Sequence, residues 1–457
     1  MPPMPQDPRQ TALTVLNRLE REQITLDTLI DDVLNTTGAL SKKDRALANA
    51  LIYGVLRHQR RLDFIISHFS KTPIKKIDPA VRNILRLGIF QLTDMTRIPD
   101  SAAVNTSVNM AKSVAPPWVV RYVNGMLRNA SRHQDLAAIS SNDLSISQSF
   151  PRWMVNRWIK RFGPIETGDL CEAFNSIPPL TLRTNTLVTS RDDLMASIRC
   201  EDGMTGTSGK TMFRMETSSV SPVAIRLYNV FKPIHRFESF KNGCFQVQDE
   251  AAQLASILLN PEPGDKVLDA CAGLGGKSAH LAQLMKNKGT VIAVDINQKK
   301  LDRLDDEMKR LGISIVKPSV HDLNRPFLED HTFDKILLDA PCSGLGVIRR
   351  NPDVKWRSSE KHINRCAERQ LDFLSRISEK LKPGGTLVYT VCSMEPEENE
   401  QVIRAFLSRK NPFYVDRSIN HLTKETASLF DTTAYLRTFP HLHRTDGFFS
   451  VRIKRKP

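Results

Sequence analysis

The amino-acid sequence predicts a multidomain chain: an all-α bundle over residues 1–138, a small α+β module over 146–243, and an α/β domain over 244–457 built on a doubly wound, Rossmann-like parallel sheet. Three observations predict this. Apolar residues recur at helical spacing between Thr11 and Ser131, strand-like alternation appears near Leu180, and beyond Gly243 short apolar runs alternate with helical stretches. With 457 residues, 40% of them apolar, the chain exceeds one ordinary core and can fill several.

In the bundle, Leu47, Ala50, Leu51, Gly54 and Val55 form one helical stripe, and Val81, Ile84, Leu85, Gly88, Ile89 and Leu92 form another. Breaks fall at 41–44, 71–73, 98–100 and 115–117, where polar or proline residues end one helix and start the next. Loops this short make the helices antiparallel neighbours. Residues 133–149 are polar and rich in Ser, Asn and Gln, which predicts a linker or a poorly packed connection. The module opens on an amphipathic helix at 151–159, continues with an alternating strand at 180–186, and mixes strands with Gly/Ser turns through 187–243. In the last domain, apolar strands fall at 266–270, 290–295, 313–316, 335–339 and 386–391, the rhythm of a parallel sheet covered by helices.

Composition narrows the function. A surplus of 65 Lys and Arg over 50 Asp and Glu gives a net charge of +15, which attracts polyanions whatever their sequence, so nucleic acid is the leading partner. Seven cysteines (Cys171, Cys200, Cys244, Cys271, Cys342, Cys366 and Cys392) form an odd set without C-x-x-C spacing, which indicates neither a disulfide framework nor a zinc site. They suit a reducing, cytoplasmic compartment. The first ten residues are polar and proline-rich, and no window holds eighteen apolar residues, so we expect a soluble protein without a membrane partner. We also expect a monomer with no metal.

Strand 266–270 runs into Cys271, Ala272, Gly273, Leu274, Gly275, Gly276 and Lys277, then a helix, placing glycines where a backbone turns tightly and approaches a ligand. Asp295 closes the next strand nineteen residues beyond Gly276, near the spacing at which a carboxylate accepts from ribose hydroxyls. Asp322 ends a third strand, placed to accept from an adenine amino group. Glycines after a strand often serve packing alone, but two acids at successive strand ends shift the reading to a nucleoside. The loop lacks G-x-G-x-x-G, which argues against a dinucleotide; S-adenosylmethionine, a nucleoside without phosphate, fits better.

The following two strands deliver Asp339, Ala340, Pro341 and Cys342, then Val391 and Cys392, to the same edge of the sheet. Carbon 5 of a cytosine accepts a methyl group only after a nucleophile has added to carbon 6, and a thiolate is the side chain best suited to add and later leave. An ordinary thiol ionises near pH ~8.5, so a cation such as Lys277 would raise the thiolate fraction. Asp339, held by Pro341, can protonate or hydrogen-bond ring nitrogen 3. The chemistry requires a cysteine without saying which. Cys171, Cys200, Cys244 and Cys366 read as small hydrophobes.

Residues 268–277, 339–356 and 391–399 closely resemble the RNA cytosine-5 methyltransferase family. Residues 41–47, 53–57 and 123–128 are similar to the NusB-like helical RNA-binding domain found in its branch acting on 16S small-subunit ribosomal RNA. The resemblance spans nearly the whole chain, including 246–253 and 446–449. It implies a NusB-like bundle and a class I methyltransferase domain, with RNA as partner. It also implies Cys392 as nucleophile at carbon 6, Cys342 as the residue that helps release product, and Asp339 as the cytosine partner. The 271–277 loop, Asp295 and Asp322 would then be ligands of S-adenosylmethionine. Three positions depart from the family pattern: Gly273 and Leu274 replace its usual Ala-Pro, His321 replaces a Gly before Asp322, and Val391 replaces a Thr before Cys392.

The same chemistry on tRNA or another RNA is an alternative, and two other classes compete. A DNA cytosine-5 methyltransferase places its cysteine directly after the proline of its fourth motif, where Cys342 stands, and the second cysteine at Cys392 separates the RNA class from it. A non-catalytic RNA-binding assembly factor would have no need of Cys342, Cys392 and Asp339 together. Arg349, Arg350 and Lys355 offer cations for phosphates, Trp356 reads as core packing, and residues 451–457 read as a solvated strand end. His441 and His443 have metal-like spacing without a supporting cluster.

Overall fold

The computed structural model describes residues 7–36, 40–201, 213–230, 232–325, 332–409 and 412–457. The first six residues of the proline-rich start and part of the 187–243 stretch therefore lie outside the described residues. The chain divides into two compact units: residues 1–176 with 349–357, and residues 177–348 with 358–457.

The first unit is helical. Helices span Pro8–Arg21, Leu26–Thr36, Lys42–Phe69, Pro79–Asp94, Asp100–Val114 and Pro117–Ser131, so all four breaks read from the sequence separate helices. Their starts are chemically specified: Asp7 accepts from the Arg9 N–H, Ser41 from Asp44, and Asp78 from Ala80 and Val81, while Pro8, Pro79 and Pro117 occupy first-turn positions that need no donor. Leu51, Val55, Ile84, Leu85, Ile89, Val123 and Leu127 form the fully buried interior, each contributing about 2 kcal/mol by leaving water.

The predicted linker at 133–149 is instead a packed part of this unit. Helix Lys42–Phe69 is kinked at His58 (φ −111°, ψ 15°), which frees backbone donors on the next turn. Ser149 Oγ accepts them, from Arg60 at 2.8 Å and Arg61 at 3.3 Å. Asp143 caps a short helix at Leu144–Ser147, and Leu136 and Phe150 are buried. Polar composition here signals hydrogen-bond duty to a bent helix. Helices Arg152–Phe162 and Pro164–Asn175 complete the unit around Trp158 and Phe174, whose rings stack at 5.8 Å.

The returning segment 349–357 carries a second correction. Lys355, read as a phosphate-binding cation, is fully buried and donates to the carbonyls of Arg57 (2.7 Å) and Ser149 (2.8 Å), with burial driving its pKa well below the usual lysine value. Arg349 is likewise buried. Trp356 donates through Nε1 to the Leu56 carbonyl at 2.6 Å and packs on the bundle's core, as read.

The second unit holds two sheets among the described residues. The smaller is antiparallel in the order β2-β3-β1-β4, from β1 (Leu180–Thr184), β2 (Arg214–Thr217), β3 (Ala224–Tyr228) and β4 (Phe245–Val247). Leu182, Leu194, Ile198, Ile225 and Phe245 form its core with helix Arg191–Glu201. The larger sheet contains β5 (Lys266–Ala270), β6 (Thr290–Asp295), β7 (Val316–Val320), β8 (Phe333–Asp339), β9 (Leu381–Val391), β10 (Phe413–Val415), β11 (Leu436–Thr438) and β12 (Phe448–Arg455). Its order is β10-β12-β9-β8-β5-β6-β7, with β11 also on β12.

Strands β5 to β9 are parallel, but β12 runs antiparallel to β9, β10 and β11, so the sheet is mixed rather than wholly parallel. Residues 439–447 between β11 and β12 are too few for a parallel crossover, so these two strands pair antiparallel. Two further expectations shift. The strand placed at 313–316 lies at Val316–Val320, tolerated with Pro318 inside it because β7 is an edge strand. The basic tail is not a solvated end: Val451 and Ile453 are fully buried in β12, and Arg452 pairs with Asp416 at 2.9 Å. No helix of the described residues is long and apolar enough to cross a membrane.

Candidate active site

The larger sheet changes direction of build between β5 and β8, and the loops at the carboxyl ends of these strands open a crevice there. After β5 the backbone enters the left-handed region at Cys271 (φ 66°), Gly273 (φ 57°) and Gly275 (φ 81°) before helix Gly276–Leu284 starts. At Gly275 a Cβ would lie 2.5 Å from Leu304 Cγ, so glycine is required there by contact as well as by φ. Asp295, at the end of β6, accepts from the Gly273 N–H at 3.0 Å through one oxygen and from the Asn297 N–H at 2.8 Å through the other. Each oxygen keeps a lone pair for a ligand hydroxyl.

Beside it lies a cavity of about 200 Å³ lined by Cys271, Asp295, Ile296, His321, Asp322 and Pro341, among others. Asp322 is half-buried and accepts from the backbone N–H of Asn324 at 2.9 Å, which holds its carboxyl below the usual range. Burial raises the Cys271 thiol well above an ordinary cysteine. Ala272 and Leu274 complete the loop, with Leu274 half exposed. An apolar Ile296 flank, an Asp at each strand end and free carboxylate lone pairs suit a nucleoside.

Lys277 Nζ lies 2.5 Å from Asp339 Oδ2, an ion pair between the first turn of helix Gly276–Leu284 and the end of β8. Burial works against the Lys277 ammonium, but the charge of Asp339 and its hydrogen bond outweigh it and leave the pKa raised. Strands β8 and β9 pair in register at Asp339 and Thr390, so Cys342 and Cys392 leave adjacent strands at one edge. Their Sγ atoms stand 3.2 Å apart, well beyond the ~2.05 Å of a disulfide, and both are free thiols. The hydrogen bond to Cys392, then burial, raises the Cys342 thiol far above its ordinary value. Gly346 lets this loop close: its N–H donates to the Cys392 carbonyl at 2.9 Å, and a Cβ there would fall 1.8 Å from the Gly447 carbonyl oxygen.

Cys171 and Cys366 are buried, with thiols pushed up to about 12 and about 11 by desolvation, and Cys244 is partly exposed. Cys200 departs from its reading as a buried filler, since it is exposed on helix Arg191–Glu201. His443 Nδ1 accepts from the Phe439 N–H at 2.9 Å, and no cluster of three metal-ligating side chains occurs among the described residues.

Three residues of the site were not visible in the sequence. Arg183, fully buried on β1, donates to the Gly276 carbonyl at 2.5 Å and to Gln246 at 2.7 Å, and burial lowers its pKa to about 9. Asp269, at the penultimate position of β5, accepts from Ser278 Oγ at 2.6 Å, and burial raises its pKa to about 7. Glu398 lies buried beneath the two cysteine loops. A charged residue inside an apolar strand, as at Arg183 and Asp269, was the available signal.

This sheet, with a crevice at its strand reversal lined by Asp295 and Asp322, has the architecture of a Rossmann-like methyltransferase domain. Residues 256–454 match the family described as 16S rRNA methyltransferase RsmB/F, residues 6–132 match the NusB family, and residues 150–230 match the RsmF/B-like ferredoxin-like domain. The chain belongs to the RsmB/F methyltransferase family. It is 34% identical over 454 residues to the probable ribosomal RNA small subunit methyltransferase B of Bacillus subtilis, covering 98% of both chains. It is 36% identical over 419 residues to the ribosomal RNA small subunit methyltransferase B of Klebsiella pneumoniae, covering 91% of this chain and 92% of that one. Among solved structures, the crystal structure of PH0851 superposes with a TM-score of 0.79 at 27% identity over 99% of this chain and all of that one. A methyltransferase homolog from Pyrococcus horikoshii gives 0.58 at 28% identity over 68% of this chain and 98% of that one.

Proposed function

We propose that this chain transfers a methyl group from S-adenosylmethionine to carbon 5 of a cytosine in small-subunit ribosomal RNA in the cytoplasm, with Cys392 as covalent nucleophile. The observation that carries the reading is the pair of free thiols 3.2 Å apart at the edge that also holds Lys277 and Asp339. A single catalytic cysteine would have no need of a second at contact distance. The names of the relatives support ribosomal RNA as substrate.

Asp295 would hold the ribose hydroxyls, Asp322 the adenine, and the 271–277 backbone the amino-acid end of the cofactor. When bound, S-adenosylmethionine supplies an electrophilic methyl group. The Cys392 thiolate adds to carbon 6 of the base, and the displaced electron pair moves toward ring nitrogen 3, where Asp339 with its Lys277 partner meets the growing charge. Carbon 5 becomes nucleophilic and takes the methyl. Loss of the carbon 5 proton to solvent water then expels Cys392 as its thiolate, and Cys342, a thiol beside it, assists release by donating a hydrogen bond to the departing sulfur. A cytosine stacked in a duplex hides both carbons, so the target is unpaired or swung out, at about a few kcal/mol when paired.

The test separates the cysteines. Cys392→Ala should abolish both methylation and the denaturation-resistant protein–RNA adduct, whereas Cys342→Ala should accumulate that adduct. An adduct on Cys392→Ala but none on Cys342→Ala would refute the assignment. Mapping 5-methylcytosine in ribosomal RNA with and without the protein identifies the target.

A further inference from the structure

Beneath the two cysteines lies a carboxylate that the methyl-transfer chemistry does not use. Glu398 is fully buried, and among the described residues it makes no ion pair with lysine or arginine. A buried carboxylate without a cation is costly unless its lone pairs are filled, and burial does raise its pKa. Four donors fill them. One oxygen accepts from the Ser343 N–H at 2.7 Å and from Gln370 Nε2 at 3.1 Å; the other accepts from Ser343 Oγ at 2.5 Å and from Ser393 Oγ. Ser343 directly follows Cys342, and Ser393 directly follows Cys392. Gln370, on helix Glu360–Ser378, also donates to the Pro341 carbonyl at 3.0 Å, and the Tyr389 hydroxyl on β9 donates to the Glu398 carbonyl at 2.6 Å.

We propose that Glu398 is a positioning residue that fixes the separation of the Cys342 and Cys392 sulfurs by holding Ser343 and Ser393 on one carboxylate. The proposal rests on the two-cysteine reading above and adds a residue to it. Strands β8 and β9 end at Asp339 and Val391, so the sheet ladder no longer fixes the loops that carry the sulfurs. Beyond that point the loops are joined by the Gly346 N–H to Cys392 carbonyl bond and, next to the sulfurs, by Glu398, where apolar packing of the same volume would supply no directional link. One thiol must reach the base while the other stands ready at the same atom, so drift of either loop degrades addition and release together.

The test reads the sulfur spacing without RNA. Phenylarsine oxide joins two close thiols through two S–As bonds, releasing its oxygen as water with both thiol protons, and Cys342→Ala defines the affinity of one thiol alone. In the full chain, Glu398→Ala should weaken capture about tenfold and lower kcat about a hundredfold, with KM for S-adenosylmethionine held within about twofold. Glu398→Gln keeps the volume and two acceptor directions, and the serine hydroxyls can rotate to accept from its amide, so it should stay within about threefold of the parent in capture and kcat. If Glu398→Ala does not fold, the Ser343→Ala, Ser393→Ala double variant removes both hydroxyl donors and is read in the same assay. Arsenical capture equal to the parent in the folded variant overturns the proposal. A parent chain that captures the arsenical but methylates no cytosine refutes the methyl-transfer reading instead.

Discussion

At the scale of single residues, Asp269 shows how burial converts an acid into a stability term. Its pKa is raised to about 7, from burial first, with the Ser278 hydrogen bond only partly opposing. An acid whose folded pKa lies above its unfolded value contributes stability fully below the unfolded pKa, near 4, and loses it as pH rises toward 7. Asp269→Asn keeps an acceptor for Ser278 and carries no charge, so its melting temperature should gain on the parent as pH rises from 5 to 8. Thermal unfolding of both chains across that range checks this, and a variant-minus-parent difference that stays constant or falls with pH counts against the shift. Asp269 sits inside a motif quoted from the sequence, and its place in an apolar strand was a signal, but one that did not decide between a ligand and a buried neutral acid. Cys342 and Cys392 were legible because their neighbours form specific motifs. Glu398 was not, since its role depends on donors 55 and 28 residues away in the chain.

At the scale of elements, helices and sheet were read from periodicity, and the misreadings fall where a segment answers to a distant element. The run 133–149 has no stripe of its own, so it looked loose; its Ser149 caps the backbone donors released at the His58 kink, with Ser149 itself in the left-handed region at φ 57°. A kink leaves no signature in the apolar stripe of helix Lys42–Phe69, so neither half of this contact was visible. Ser149→Ala strands two half-buried donors and should destabilise the first unit by about 2 kcal/mol. Urea unfolding followed in the first unit reads the loss, and a change below about 0.5 kcal/mol would mean that water replaces the hydroxyl. The same reasoning explains β12: its basic residues made it look like a solvated end, because the hydrophobic pattern does not encode the neighbours β9, β10 and β11 that bury it.

At the scale of the whole molecule, the net charge of +15 is legible from composition, but which cations are free to meet RNA is not. Lys355 shows the difference: it follows the motif that carries Cys342, yet it is a buried donor inside the helical unit. Deleting residues 1–138 to test that unit would therefore remove the acceptor that Lys355 finds at Arg57 and the one that Trp356 finds at Leu56, leaving a damaged remnant rather than an excised domain. Point changes are the sounder probe. Lys71, Lys75 and Lys76 are exposed around one turn of the helical unit, near Trp118, which is 66% exposed and lines an apolar groove of about 480 Å³ with Lys76, Val114 and Tyr122. If this turn meets RNA phosphates, each lysine lost should reduce the log–log salt slope of single-strand binding by about 0.7. Replacing all three with Gln should flatten the slope by about 2 and weaken binding at low salt, as read by fluorescence anisotropy over a salt series. An unchanged slope would assign the electrostatic contact to other cations and leave the helical unit as a scaffold.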